Sequence, residues 1–316
     1  MRSFRLSALL LFAAACFITG CQQRQPAFLF DHNDQGVMLS EAGEPVFFYQ
    51  KEPKSSDGRF ICNNYIHPLY SIDGDTLTEE FPASHPHQRG IFWGWHQVYI
   101  NDQSVGNSWA MNNITHEVSG IQAGTENNTA RLDVDVMWRS AIWQNGEPFI
   151  HEQTSILVHQ KVDNLRIIDF RISLTALVPG VNIGGSNNEA GYGGFSMRIK
   201  TPEDLVFTSV YGRQAPDRPR TKPSSWMDFS GTFGPESRSS SLTLLCHPST
   251  INYPSTWLLN QRSSMQNPVF PGRHRTHLPP GIPVNLQYRL IVHNSDINDL
   301  DIAGLKAEYD QFLFPE

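Results

Sequence analysis

Residues 131–138 read Arg131-Leu132-Asp133-Val134-Asp135-Val136-Met137-Trp138. A period of two puts Leu132, Val134, Val136 and Trp138 on one side of an extended chain, whereas a helix would scatter them around its axis. The stretch is therefore expected to be a half-buried strand. The same alternation returns in Ile168, Phe170, Ile172 and Leu174, and again in Leu286, Tyr288, Leu290 and Val292. Turn residues punctuate the strands: Asn145-Gly146 between Trp143 and Phe149, Pro179-Gly180, and Pro280-Gly281. Asn-Gly between two apolar runs is a hairpin signal, because both residues tolerate the positive φ that a tight turn requires. Only Asp296 to Phe314 has a helical pattern, with Leu300, Ala303, Leu305, Ala307 and Phe312 available as a packing face. The expected fold is all-β: a large antiparallel β-sandwich in a single domain, with a short C-terminal helix.

Outward from that body, the chain starts with an export signal. Arg2 and Arg5 precede an apolar run from Leu6 to Ile18, too short to span a bilayer, and Ile18-Thr19-Gly20-Cys21 closes it. The small residues before the cysteine have the form of a lipobox, which implies cleavage after residue 20 and acylation of Cys21. The expected organisation is a lipoprotein signal over residues 1–20, a lipid-anchored tether over 21–27 and the folded domain over 28–316. The expected location is the bacterial cell envelope, with the lipid membrane a partner through Cys21. Gln22, in place of a retention aspartate, favours the outer membrane. A net charge of −7 over 316 residues, with no basic stripe, argues against a nucleic-acid partner. Cys62 and Cys246 remain in the folded body, either bridged or as two buried thiols. Residues 213–240, rich in proline and serine, form the longest irregular stretch, a loop over a site or a solvated insertion.

The chemistry concentrates in residues 65–96, YIHPLYSIDGDTLTEEFPASHPHQRGIFWGWH. His67, His85, His87, Arg89 and His96 fall together there, interleaved with Tyr65, Tyr70, Trp93, Trp95, Glu79 and Glu80. In His85-Pro86-His87, residues two apart on an extended chain point the same way, so both imidazoles can face one ligand. The pair suits a divalent metal such as Zn, Cu or Fe, with His67 or a carboxylate as a further ligand. It equally suits an anion or sugar hydroxyls, with Arg89 as a fixed cation. Trp93 and Trp95 face one side if extended, as flat stacking surfaces for a sugar or as plain core. Proline between the histidines and glycine after the arginine point to a tightly turned segment.

Three functions fit these residues. A carbohydrate-active enzyme would draw an acid/base pair from His67, His85, His87 and a carboxylate among Glu80, Glu152, Glu189 and Asp228. Its substrate would contact Trp93, Trp95, Tyr70, His96 and Trp226, beside Arg89. A metal enzyme would use His67, His85 and His87 as ligands, with Glu80 or Asp228 activating a water. A non-catalytic sugar-binding lipoprotein would need the tryptophans and Arg89 but no coupled acid and base. No phosphate-binding glycine loop, nucleophile elbow or Rossmann fingerprint occurs, which disfavours nucleotide cofactors and serine-hydrolase chemistry.

Several blocks resemble a bacterial family of unknown function that has carried the label "methane oxygenase PmoA". They are Tyr65-Ile66-His67-Pro68-Leu69-Tyr70, His85-Pro86-His87-Gln88-Arg89-Gly90-Ile91-Phe92-Trp93, Gly193-Gly194-Phe195, Trp226-Met227-Asp228-Phe229-Ser230-Gly231, His247-Pro248, Pro280-Gly281 and Tyr288-Arg289-Leu290. The resemblance implies an all-β sandwich and, through gene context, carbohydrate metabolism. Methane oxidation is not carried over, because the subunit behind the label is an integral membrane protein and this chain has no spanning segment after its signal.

Overall fold

The computed structural model describes residues 27–315, apart from 127, 217–219, 236–237 and 263. The expected export signal, the expected acylation site Cys21 and all of the expected tether but residue 27 lie outside the described residues. Among the described residues no helix is long and apolar enough to cross a membrane.

The chain is all-β with one short C-terminal helix. A nine-stranded sheet runs, edge to edge, Gly212–Gln214, Val206–Ser209, Trp226–Thr232, Ser239–Cys246, Val284–His293, Leu165–Ala176, Pro148–His159, Thr129–Ser140 and Ile114–Glu126. Against it lie a six-stranded sheet, Phe28–His32, Gly36–Glu41, Glu44–Gln50, Tyr65–Leu69, Ile91–Gly94 and Gly194–Met197, and a four-stranded one, Thr276–His277, Val181–Gly184, Gln97–Ile100 and Gln103–Gly106. Leu132, Val134, Val136 and Trp138 share one buried cluster with Phe47, Ile66, Ile91 and Trp93 of the six-stranded sheet and with Val98 and Ile183 of the four-stranded one. Period-2 strands that bury one face against another sheet make the expected sandwich. The Asn145-Gly146 hairpin forms as expected: Ile150 pairs with Trp138, and both turn residues take positive φ.

A carboxyl group sits between the sheets. Glu152 is fully buried; one carboxylate oxygen accepts from Trp93 Nε1 (2.7 Å), Asn64 Nδ2 (2.8 Å) and Thr154 Oγ1 (3.0 Å), the other from Trp138 Nε1 (2.8 Å). Burial raises its proton affinity, and the donors act against that rise. Glu152 thus ties the two sheets together and faces no substrate. The same geometry corrects the expectation that Trp93 and Trp95 stack on a sugar. They are 1% and 0% exposed, with indole N–H groups committed to Glu152 and to the Phe270 carbonyl (3.1 Å).

Residues 213–240 are less irregular than expected, because Trp226–Thr232 is an interior strand whose Met227 and Phe229 enter the core. The C-terminal helix spans Ile302–Asp310, N-capped by Asp301, and packs through Ile302, Lys306 and Tyr309, with Leu305 and Phe312 partly buried. Its contact face is rotated from the expected one, leaving Ala303 and Ala307 exposed. Arg289, projecting from the outer face of the large sheet, sets that rotation by stacking on Tyr309 (4.7 Å) and Phe312 (5.1 Å). Cys62 and Cys246 are separate buried thiols.

Strands Ile91–Gly94 and Gly194–Met197 of the six-stranded sheet are buried on both faces. Ile66, Ile91 and Trp93 point into the main core, while Tyr65 and Phe92 point the other way into a smaller cluster with Cys62, Trp109, Leu258, Met265 and Val269. Loops cover this outer cluster, and the candidate site lies among them.

Candidate functional site

The His85-Pro86-His87 segment is a loop between Glu80 and Arg89, which form an isolated antiparallel bridge. Phe81 N–H donates to the Gln88 carbonyl (2.9 Å), and two successive turns are closed by His85 N–H to Pro82 O and Gln88 N–H to His85 O (2.9 Å each). The histidines are brought together by turns rather than by an extended strand, with ring centroids 6.0 Å apart. Gly90 is what allows the exit: its φ is +30°, and a Cβ there would lie 1.8 Å from the Ile66 carbonyl oxygen.

His85, His87 and Gln88 line a cleft of about 750 Å³ with Asn188, Glu189, Ala190, Tyr192, Leu258, Asn260, Arg262, Ser264 and Met265. Its floor is the outer apolar cluster, through Leu258, Met265, Ala190 and Tyr192. Gln88 is fixed from both sides: its carbonyl accepts from Arg198 Nη1 (2.9 Å) and its amide donates to Ser264 Oγ (3.3 Å). Arg198 in turn is paired with Glu79 (2.7 Å). His96 stands behind Tyr192, stacked on Trp109 at 5.1 Å, with its Nε2 buried and unpartnered.

Both cleft imidazoles are held neutral. The affinity of His87 for a proton is lowered to about 4, first by desolvation and then by the positive neighbours His85, Arg89 and Arg198. His85 is lowered by the same causes, burial and then Arg198. No hydrogen bond engages the His87 ring within the described residues; it packs against Phe60 at 5.6 Å and lines the cleft.

Below the loop lies Arg89, 1% exposed, with its guanidinium 4.4 Å from the Phe92 ring centroid. Nη1 donates to the carbonyls of His87 (3.0 Å) and Trp109 (3.1 Å), while Nε and Nη2 have no partner. The other three arginines buried among the described residues each hold a carboxylate: Arg166 with Glu41 (3.0 Å), Arg198 with Glu79, and Arg289 with Asp169 (2.7 Å). An uncompensated buried charge costs on the order of several kcal/mol. Arg89 alone among them carries that cost.

The remaining expected site residues lie elsewhere. His67 is half-buried, with Nδ1 on the Thr78 hydroxyl (2.9 Å), and does not reach His85 or His87. Among the described residues no group of three or more His, Cys, Asp or Glu side chains is gathered to hold a metal ion, so the expected ligand set of His67, His85 and His87 is not assembled. Glu80 is taken up by the Tyr65 hydroxyl (2.6 Å) and Lys54 (2.5 Å) and stands outside the cleft. Tyr70 sits past the end of Tyr65–Leu69, bridged to Thr76. Asp228 is fully buried, since its strand neighbours Met227 and Phe229 take the core side and turn it outward onto Thr243 (2.7 Å), Ser230 (2.6 Å) and His293 (3.3 Å). Trp226 packs on the C-terminal helix cluster. Glu189 does line the cleft, exposed.

A model of a family of unknown function, DUF6807, matches residues 36–307, a span that holds every cleft residue. The chain belongs to this family. It matches none of the curated proteins. DUF6807 membership fixes no reaction, so the chemistry of this member is argued from its cleft.

Sequence reasoning missed Tyr192, Asn188, Asn260, Arg262, Ser264 and the supporting Trp109. The Gly191-Tyr192-Gly193-Gly194 turn was a visible signal for the first of these. Residues 258–265 carry no motif, and only the fold brings them to a loop some 170 positions earlier.

Proposed function

We propose that this DUF6807 protein is an exported lipoprotein, anchored through acylated Cys21, that binds a carbohydrate in the cleft and acts on it with His87 as general base. The observation that supports this reading most is an imidazole kept neutral and without a hydrogen-bond partner in a cleft whose lining includes three amides, a hydroxyl and an aromatic ring. Gln88, Asn188 and Asn260 carry both donors and acceptors, the complement of vicinal sugar hydroxyls. Tyr192 offers a ring and the floor is apolar, as saccharide faces require. In this role His87 takes a proton from the substrate or from an attacking water and, as the imidazolium so formed, returns it to the leaving oxygen, with Glu189 the one carboxylic side chain lining the cleft beside it.

A non-catalytic binder is the second reading, favoured by the exposure of Glu189, which leaves His87 without a second acid/base group held in place beside it. A divalent-metal enzyme, including the copper or iron oxygenase implied by the label of the resembling family, ranks below both. It needs a third ligand beside His85 and His87, and His67 is engaged by Thr78.

The test is a panel of glycosides and oligosaccharides, with binding followed by calorimetry and products by NMR. His87→Asn is expected to lower kcat at least 100-fold while changing Kd less than tenfold. The wild-type rate should hold down to an acidic limb near pH 4, where His87 protonates. A wild type that binds no saccharide overturns the proposal; one that binds without turnover replaces it with the binder.

A further inference from the structure

We propose that the saccharide recognised by the cleft is anionic, bearing a carboxylate or sulfate, and that Arg89 is the positioning cation selecting it. This rests on the carbohydrate reading of the same cleft and adds the class of substrate.

The argument begins with the charges around the site. Three of the four arginines buried among the described residues are neutralised by a carboxylate at salt-bridge distance, and Arg89 is not. Its nearest bonded groups are two backbone carbonyls, one of them the carbonyl of His87 in the cleft wall. The guanidinium is thus bonded to the backbone of a residue that lines the cleft, 1% exposed and with the aromatic rings of Phe92 and Tyr65 at 4.4 and 5.9 Å on its flank. In such low-dielectric surroundings a charge acts over several ångströms with little screening.

The cleft wall adds a cation of its own in Arg262, offset by Glu189; both are exposed. Arg198, behind Gln88, is matched by Glu79, and Glu80 is matched by Lys54. His85 and His87 are neutral. Summed over these groups, Arg89 is left as the one unbalanced charge, positive, in a chain whose net charge is −7. A neutral sugar would leave it unbalanced, whereas an anionic substituent supplies the missing counter-charge. The buried Nε and Nη2 of Arg89 are the donors an oxyanion would satisfy as the overlying loop adjusts, and their planar fork matches a carboxylate.

The experiment compares three probes of equal length by calorimetry at low and high salt: an oligogalacturonate, a sulfated galactan oligosaccharide and the neutral galactan oligosaccharide. At least one anionic probe is expected to bind tenfold or more tighter than the neutral one, with an advantage that shrinks as salt rises. Preference between carboxylate and sulfate identifies the anion. Arg89→Met is expected to bring anionic and neutral probes to parity. Equal wild-type affinity for charged and neutral probes overturns the anion assignment and leaves the carbohydrate reading standing, and this comparison needs no variant to fold. Binding of none of the probes, while other saccharides bind, also overturns it; no saccharide bound at all overturns both. A folded Arg89→Met protein that keeps the full anionic preference removes Arg89 from the role.

Discussion

Arg289 and Arg89 are equally buried, each 1% exposed, and each lies over aromatic rings, yet their surroundings differ. Arg289 holds both oxygens of Asp169 at 2.7 and 3.0 Å, reaches Glu308 of the C-terminal helix at 3.0 Å, and stacks on Tyr309 and Phe312. Arg89 has aromatic neighbours and two carbonyls but no carboxylate. The first is a completed joint between sheet and helix. The second is a charge the fold leaves open next to a cleft. Burial of an arginine therefore says little until its counter-charge is found, and the two sites predict opposite responses to the same substitution.

The largest effect is expected at the closed site. Arg289→Met leaves the buried Asp169 carboxylate with the His159 ring, at 2.8 Å, as its remaining side-chain partner among the described residues, and strips Glu308 and the helix rings of their cation. Breaking a buried pair from one side costs about 3–5 kcal/mol. Urea denaturation should show that loss, and limited proteolysis should cut first near the C-terminal helix. A loss under 1 kcal/mol would mean that Arg289 is no more essential to the fold than Arg89.

A middle-sized effect tests whether the open site tolerates a second charge. His116 is buried against Trp138 at 4.5 Å, both ring nitrogens lack a partner, and its proton affinity is lowered to about 3 by desolvation and then by Arg89. Because the folded value lies below the ordinary value near 6.5, the associated stability is complete above about pH 6.5. It is lost as pH falls toward 3. By pH 5 the loss is about 2 kcal/mol from this group alone. His116→Phe removes the titrating group and two unsatisfied atoms, so thermal melts between pH 7 and 4 should show a shallower fall than the wild type. An unchanged slope would place the acid sensitivity elsewhere.

How far each region could be read from sequence follows the same division. The sandwich was legible because period-2 runs such as Leu132 to Trp138 carry the core in local order, and Asn145-Gly146 marks its own turn. The His85–Arg89 block was legible as a chemical concentration, and His85 and His87 do line the cleft. What sequence could not separate was a tryptophan that stacks on sugar from one that donates to a buried carboxylate. Trp93 became core because Glu152, 59 positions away, arrives from the opposite sheet. Asp228 and Trp226 looked like site residues because their block is rich in functional types, but strand alternation turns them to the outer face of the large sheet. The metal set failed on the same ground, since His67 is directed at Thr78 by its strand while His85 and His87 follow a loop.

The smallest expected change in stability is the sharpest for the comparison. Arg89→Met removes a charge with no carboxylate and puts an apolar chain between Phe92, Tyr65 and Trp109, leaving two carbonyls without their donor. Losing those bonds costs about 1 kcal/mol each, and removing an uncompensated buried charge returns a comparable amount. The net effect in urea should lie within about 1 kcal/mol of the wild type, in either direction. Methionine is suited to the test because its flexible thioether fills irregular space and packs well on aromatic edges. If instead Arg89→Met unfolds as readily as Arg289→Met, the guanidinium is holding the loop through His87 and Trp109 as a structural staple. The distinction between a closed joint and an open charge would then dissolve, since both arginines would be present for the fold alone.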